Sequence, residues 1–276
     1  MKKKEWIGNI LFHIVLLAAV CMVLYPFVVM VSGAFKSDME MNRYVLRLIP
    51  QEPTLEHFKT LFKTIPFWKQ FGNSMLVSCC TVVLVVLVDG FVAYGFSRFE
   101  FRGKELLLSL MLSTMLIPAQ VLMVPQFQMY TKMKLFGTYI PLMIPSLLGA
   151  TNIFLLVQIM GQIPRELYES AMIDGSGEIG IFFRIAFPLS KSGFGILAVL
   201  TFMSVWNDFM TPLIYLNQEK QYTLSIGLLR LRDFYNISYG APLAGALLSC
   251  IPVILILSVV GQKYFMKGLM VGAVKG

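Results

Sequence analysis

The chain has 276 residues, of which 57% are hydrophobic and only 14% charged, and its mean hydropathy is +0.73. That balance excludes an ordinary water-soluble core and makes lipid the solvent for most of the surface. A net charge of +8 would invite a nucleic-acid reading in a soluble protein, but no basic patch is interleaved with aromatic residues, so the lysines and arginines read as flanks of membrane spans and no nucleic-acid partner is expected.

In chain order, six apolar stretches reach the roughly 20 residues that a helix rising 1.5 Å per residue needs to cross a bilayer. They cover 7–31, 74–96, 106–125, 139–160, 194–216 and 241–264. The period-two alternation of a membrane barrel is absent, so the expected fold is an all-α membrane protein of six transmembrane helices. The opening Met1-Lys2-Lys3-Lys4 looks like the start of a signal peptide. The apolar run behind it is too long for one, lacks an A-x-A cleavage site, and has Val20 before Cys21 where a lipoprotein signal carries a small residue. It is read as an uncleaved first helix.

Residues 34–70, with Pro50, Pro53 and Pro66, are too polar to cross and too short for a separate domain. They form an extracytoplasmic loop in this reading, and 217–240 faces the same side. Pro118, Pro145 and Pro252 lie inside apolar runs, where each frees a backbone carbonyl and permits a kink. In the last span, Ala241, Gly245 and Ser249 make a small-residue stripe suited to close helix packing. No internal repeat or low-complexity segment divides 1–276, so a single transmembrane domain is expected.

Orientation rests on the basic residues. The outside segments hold nearly as many as the inside ones, including Lys36, Arg43, Arg47, Lys59, Lys63 and Lys69 in the long loop after the first span, but long loops weigh less than the three lysines ahead of that span. Six spans then put both termini, the Arg98–Lys104 turn and the polar segment 161–190 in the cytoplasm.

No catalytic or metal-binding constellation emerges. Cys21, Cys79, Cys80 and Cys250 lie in apolar runs as packing residues, and His13 and His57 have no partner motif. The sequence contains neither H-E-x-x-H nor G-x-S-x-G, nor the phosphate-cradling G-x-x-x-x-G-K-[ST]. No enzyme activity and no cofactor are expected in this chain. Asp89, deep in the second apolar run, and Asn207 and Asp208, near one end of the fifth, are the polar residues least suited to lipid. Each is a candidate either for helix packing or for a water-filled solute path.

The 161–190 segment has readable helix punctuation. Pro164 suits a first helical position, Glu166 favours the first turn, and Gly175 suits a left-handed terminating residue. Ser176 can then cap a second short helix through Glu178–Arg184. Within this predicted helix-turn-helix, Ser170 and Ala171 keep one side slim and Glu169 offers a carboxylate.

The series Glu169-Ser170-Ala171, Asp174-Gly175 and Ile185-Ala186-Phe187-Pro188 closely resembles the EAA loop of ABC importer permeases: E-A-A, three residues, G, nine residues, I, one residue, L-P. Both gaps are met; Ser170 stands for one Ala and Phe187 for the Leu. The resemblance implies a type I importer bundle whose loop docks an ATP-hydrolysing subunit, with Gly175 allowing the turn and Glu169 touching the partner.

Two other segments are similar to the carbohydrate-importing branch, in particular the second membrane subunit of maltose-type transporters. They are Trp206-Asn207-Asp208-Phe209-Met210-Thr211-Pro212-Leu213 and the ending Gly268-Leu269-Met270-Val271-Gly272-Ala273-Val274-Lys275-Gly276. This second resemblance implies a carbohydrate importer, in particular one for oligosaccharides. This chain would work with a homologous second permease, an extracytoplasmic solute-binding protein and two ATPase subunits that bind ATP and Mg. Gly272 and Lys275 become a candidate contact with those subunits. A polyamine, peptide or anion importer of the same architecture, an ion-coupled secondary transporter and an intramembrane enzyme are the alternative readings.

Overall fold

In the computed structural model, residues 2–43, 47–231 and 239–261 are described, and among them every regular element is helical. The helices are α1 (Lys2–Phe35), α2 (Asp38–Arg43), α3 (Glu56–Thr64), α4 (Phe67–Arg98), α5 (Lys104–Ser113), α6 (Ala119–Lys132), α7 (Ile140–Met143) and α8 (Ala150–Met160). They continue with α9 (Arg165–Ile173), α10 (Glu178–Ile181), α11 (Phe187–Leu189), α12 (Lys191–Trp206), α13 (Met210–Tyr215), α14 (Leu224–Leu229) and α15 (Gly240–Ile256).

Three segments are long and apolar enough to cross a bilayer as continuous helices: Gly8–Phe35, Phe67–Arg98 and Gly240–Gly261. The other predicted spans are interrupted. Lys104–Leu116 and Ala119–Lys132 meet at 99°, and the break falls at Pro118, which cannot donate its amide and turns extended ahead of α6. Ile140–Ser146 and Ala150–Met160 meet at 46° just after Pro145. The predicted fifth span divides into α12 and α13 at Asn207–Phe209. Pro252, by contrast, is carried inside α15, which widens into a π turn over Leu257–Gly261. Hydropathy gave the apolar lengths but could not distinguish a continuous helix from a bent pair.

The described residues separate into two compact units, those within 1–67 and 227–251, and those within 68–226 and 252–261. In the first, the most apolar stretch of α1 buries none of its residues against this chain. The polar turns that follow α1 are held internally. Lys36 donates to the Arg47 carbonyl, and the buried Glu40 carboxylate accepts the Gln51 amide at 3.0 and 3.2 Å. Predicted loop 34–70 therefore contains two short helices, α2 and α3, with an internal hydrogen-bond frame.

Close approach in this unit uses glycine. A Cβ on Gly245, within the predicted small-residue stripe, would stand 2.2 Å from a Leu228 methyl group, which has room to rotate. A Cβ on Gly240 would stand 2.0–2.2 Å from three atoms of the His57 ring, and that ring is only 4% exposed. A buried ring has nowhere to go. Gly240→Ala should therefore cost about 1–3 kcal/mol through overpacking and lower the thermal unfolding midpoint of the solubilised chain. A scanning-fluorimetry midpoint equal to that of the unmodified protein would refute the contact.

The second unit is built on an aromatic and aliphatic core. Val85 and Ala93 of α4, Ile153, Leu156 and Met160 of α8, and Phe194 and Leu197 of α12 are buried with Tyr168, Ile181 and Phe182. Phe182 stacks on Phe91 with centroids 4.2 Å apart and meets Tyr94 edge-on at 5.5 Å. The 161–190 segment thus enters the same core as α4, α8 and α12, which fixes its position on the unit.

Candidate functional site

Residues 161–190 form the predicted helix-turn-helix with some changes of detail. Pro164 occupies the N-cap position, with ψ 136°, instead of the first helical turn, and α9 runs Arg165–Ile173 behind it. Gly175 has φ +81°, the left-handed conformation that terminates a helix. The Ser176 amide donates to the Ala171 carbonyl at 2.9 Å and the Gly175 amide to Met172 at 3.0 Å, the paired bonds of a Schellman termination. The cap of the second helix differs from expectation. Gly177 takes that position with extended backbone, and Ser176, whose amide completes the termination of α9, stands one residue ahead of it. The second helix also does not run unbroken to Arg184: α10 ends at Ile181 and a π turn covers Phe182–Ala186. Pro188 then lies in the short α11.

α9 has two opposite stripes. Tyr168 is buried and Ala171, three residues later, is half-buried against the core, so its small side chain serves packing within the chain. Glu166, Glu169 and Ile173, at helical spacing on the other side, are exposed, as are Ser170 and Asp174. Ile173 is 87% and Ile179 69% exposed. Acidic and apolar groups therefore share one uncovered surface on either side of the Gly175 turn.

What holds this surface in place is a cluster that the sequence motif did not contain. Tyr94, near the end of α4, donates its hydroxyl to Glu178 Oε2 at 2.5 Å. The Arg98 guanidinium lies 4.0 Å from the other Glu178 oxygen, 5.0 Å from the centroid of the Tyr168 ring and 3.4 Å from Met172 Sδ. One arginine therefore touches both α9 and α10. Burial pushes the Tyr168 phenol up, partly offset by the Arg98 charge. Glu100 adds ion pairs to Arg165 at 3.1 Å and to Lys104 at 3.2 Å. The Glu100–Arg165 pair is open to water on both sides and contributes about 0–1 kcal/mol. Arg98, with its side chain only 13% exposed, is the stronger link. Arg98 entered the sequence reading only as a flanking charge; nothing in its spacing announced a tertiary partner 80 positions later.

The other candidate residues fall elsewhere in the second unit. Asp89 is fully buried, accepts the Leu148 amide at 2.7 Å and the Asn152 side chain at 3.1 Å, and so joins α4 to the start of α8. Asn207 bonds back to the Met203 carbonyl at 2.8 Å, while Asp208 Oδ1 accepts the Thr211 amide at 3.2 Å. These two residues end α12 and start α13. The cavity beside Asp208, of about 10 Å³, has room for one water molecule and not for a sugar. Gly272 and Lys275 lie outside the described residues.

Membrane-length apolar helices, together with a helix-turn-helix rooted in the core and facing outward, define a membrane transport permease. The chain belongs to the family described as binding-protein-dependent transport system inner membrane component, which matches residues 87–267. It is thus a multi-pass cell-membrane protein of transport. Among curated relatives, it is 34% identical to the arabinooligosaccharides transport system permease protein AraQ of Halalkalibacterium halodurans, over the full length of both chains. It is 33% identical to the galactooligosaccharides transport system permease protein GanQ of Bacillus subtilis, over 100% of this chain and 99% of that one. The inner membrane ABC transporter permease protein YcjP of Escherichia coli is 31% identical over 99% of each. In fold, a chain of a bacterial ABC transporter involved in import of the acidic polysaccharide alginate superposes with TM-score 0.81 at 23% identity, covering 95% of this chain and 98% of that one.

Proposed function

We propose that this chain is one permease half of an ATP-driven importer of oligosaccharides. The observation that carries the reading is the 165–189 helix-turn-helix: an acidic and apolar face left uncovered, turned by Gly175 and clamped from behind by Arg98. Such a face suits a cleft on an ATPase subunit, with Glu169 making a charge-assisted contact and Glu166, Ser170 and Asp174 around it. Two ATPase subunits bind ATP and Mg, a second permease completes the path, and an extracytoplasmic binding protein delivers solute. The three continuous helices and the three interrupted segments 104–132, 140–160 and 191–215 make six spans, with both termini and 161–190 in the cytoplasm, and the chain acts as one transmembrane domain.

Oligosaccharide as the solute is supported by full-length relatives named for arabinooligosaccharides and galactooligosaccharides. The role of Asn207 and Asp208 is to shape the α12–α13 break, and the resemblance of Gly268–Gly276 to the ending of carbohydrate-importing permeases supports contact of Gly272 and Lys275 with the ATPase subunits.

Glu169→Lys tests the coupling assignment, because it reverses the charge on an exposed face without touching the core. The complex reconstituted in vesicles with arabino- and galactooligosaccharides should keep hydrolysing ATP while uptake falls about ten- to a hundredfold, as expected for loss of a charged contact worth about 1.5–3 kcal/mol. Full uptake by that variant would remove the carboxylate from the mechanism. Uptake that ignores ATP depletion but collapses with a proton ionophore would reject the ATP-driven reading itself.

A further inference from the structure

We infer that Asp89 is a positioning residue that pins a break inside the 140–160 helix pair to α4, so that α4, α8 and the coupling segment move as one piece. The inference rests on the coupling role proposed for 165–189. The break lies between the 3₁₀ turn Ile144–Ser146 and α8 and bends the pair by 46°. Leu148, within it, has φ +57°, a conformation that a residue with a branched side chain adopts only when something holds it there.

The amides at the start of a helix have no partner in their own ladder, and inside a membrane no bulk water satisfies them. Asp89 supplies what is missing. One carboxylate oxygen accepts the Leu148 amide at 2.7 Å, and the other accepts the Asn152 side-chain amide at 3.1 Å. The carboxylate is fully buried, and negative charge at a helix N-terminus is favoured. These contacts come from a residue 59 positions earlier on a different helix, so they are a tether between elements.

The same helix carries the second tether. Nine residues after Asp89, or about 14 Å along α4, Arg98 grips Tyr168, Met172 and Glu178. α8 itself runs from the pinned break to Met160, five residues before α9 begins. A push on α9 and α10 therefore reaches α4 at Arg98, and reaches it again through α8 at Asp89. With both tethers intact the three elements share one displacement. With the Asp89 tether cut, the push is absorbed by α8 alone.

The test compares Asp89→Ala, Asp89→Asn and Asn152→Ala in the full importer complex in lipid nanodiscs and vesicles, with a panel of arabino-, galacto- and alginate oligosaccharides. Two quantities are read: hydrogen exchange of the 147–153 amides, and solute moved per ATP hydrolysed. Asp89→Ala should speed the exchange and lower the transport ratio about tenfold, as leaving buried donors unpaired implies. Asp89→Asn should restore both to within about threefold, since its oxygen accepts from Leu148 and its amide pairs with a turned-over Asn152. Asn152→Ala, which keeps the Leu148 bond, should fall between them and decides the matter if Asp89→Ala fails to assemble. An unchanged ratio in Asp89→Ala or in Asn152→Ala overturns the inference. So does a fall of uptake and hydrolysis in equal proportion, the mark of a residue that only holds the fold. If the unmodified complex shows no solute-stimulated hydrolysis with any of the panel, the importer reading fails instead, and the exchange comparison still tests the pin.

Discussion

Gly175→Val should leave the chain inserted in the membrane and release the ATPase subunits. At φ +81° an L-residue brings its Cβ against the backbone at a cost of about 1–2 kcal/mol, and a β-branched side chain adds to it. The space around Gly175 is empty, with nothing within 4 Å of an added Cβ, so the effect is conformational and not a clash. That distinction predicts a graded series. Asn, which tolerates the left-handed region, should retain most of the bound ATPase; Ala should lose part of it; and Val should lose about tenfold, the equivalent of roughly 1.4 kcal/mol. Co-purification of ATPase subunits with each tagged variant from membranes reads the series directly. Equal recovery across the four proteins would show that the turn does not set the docking geometry.

The series also separates what the residues announced from what they concealed. Gly175 was legible because a left-handed helix terminus has a local chemical signature, and so were Pro118 as a break and the apolar length of the three continuous helices. Ser176 was misread for an equally local reason: a hydroxyl residue ahead of an acidic helix start looks like a cap, but Ser176 is the last residue of the α9 termination and the cap position falls on Gly177. Arg98 and Glu178 were invisible as a pair. Both sit where isolated charges are common, and only the folding of α10 against α4 brings them together. Asp89 lay between, since its burial in an apolar run demanded a partner but could not name Leu148 and Asn152. In this chain, information about turns was local in sequence, and information about what transmits force between elements was not.

Arg98→Met therefore carries the second large expectation. Methionine keeps an unbranched apolar chain but removes the charge that faces Glu178 and the cation that sits over the Tyr168 and Phe99 rings. The ring interaction is worth about 0.5–2 kcal/mol when partly shielded from water. The ion pair adds less, because the Glu178 side chain is 41% exposed and its distance is 4.0 Å. Tyr94 still donates to Glu178 at 2.5 Å, so α10 keeps one anchor in the single variant. Removing both with Arg98→Met and Tyr94→Phe takes away every polar tie described between α10 and α4. The single variants should each lower ATPase retention a few-fold, and the double variant should lose more than their product, since the two share Glu178 as partner. Limited proteolysis at 173–178 should sharpen in the same order, as the exposed turn frees itself from α4. Unchanged ATPase retention and proteolysis in the double variant would mean that the aromatic packing of Phe182 on Phe91 and Tyr94 holds the segment without help from the charged cluster.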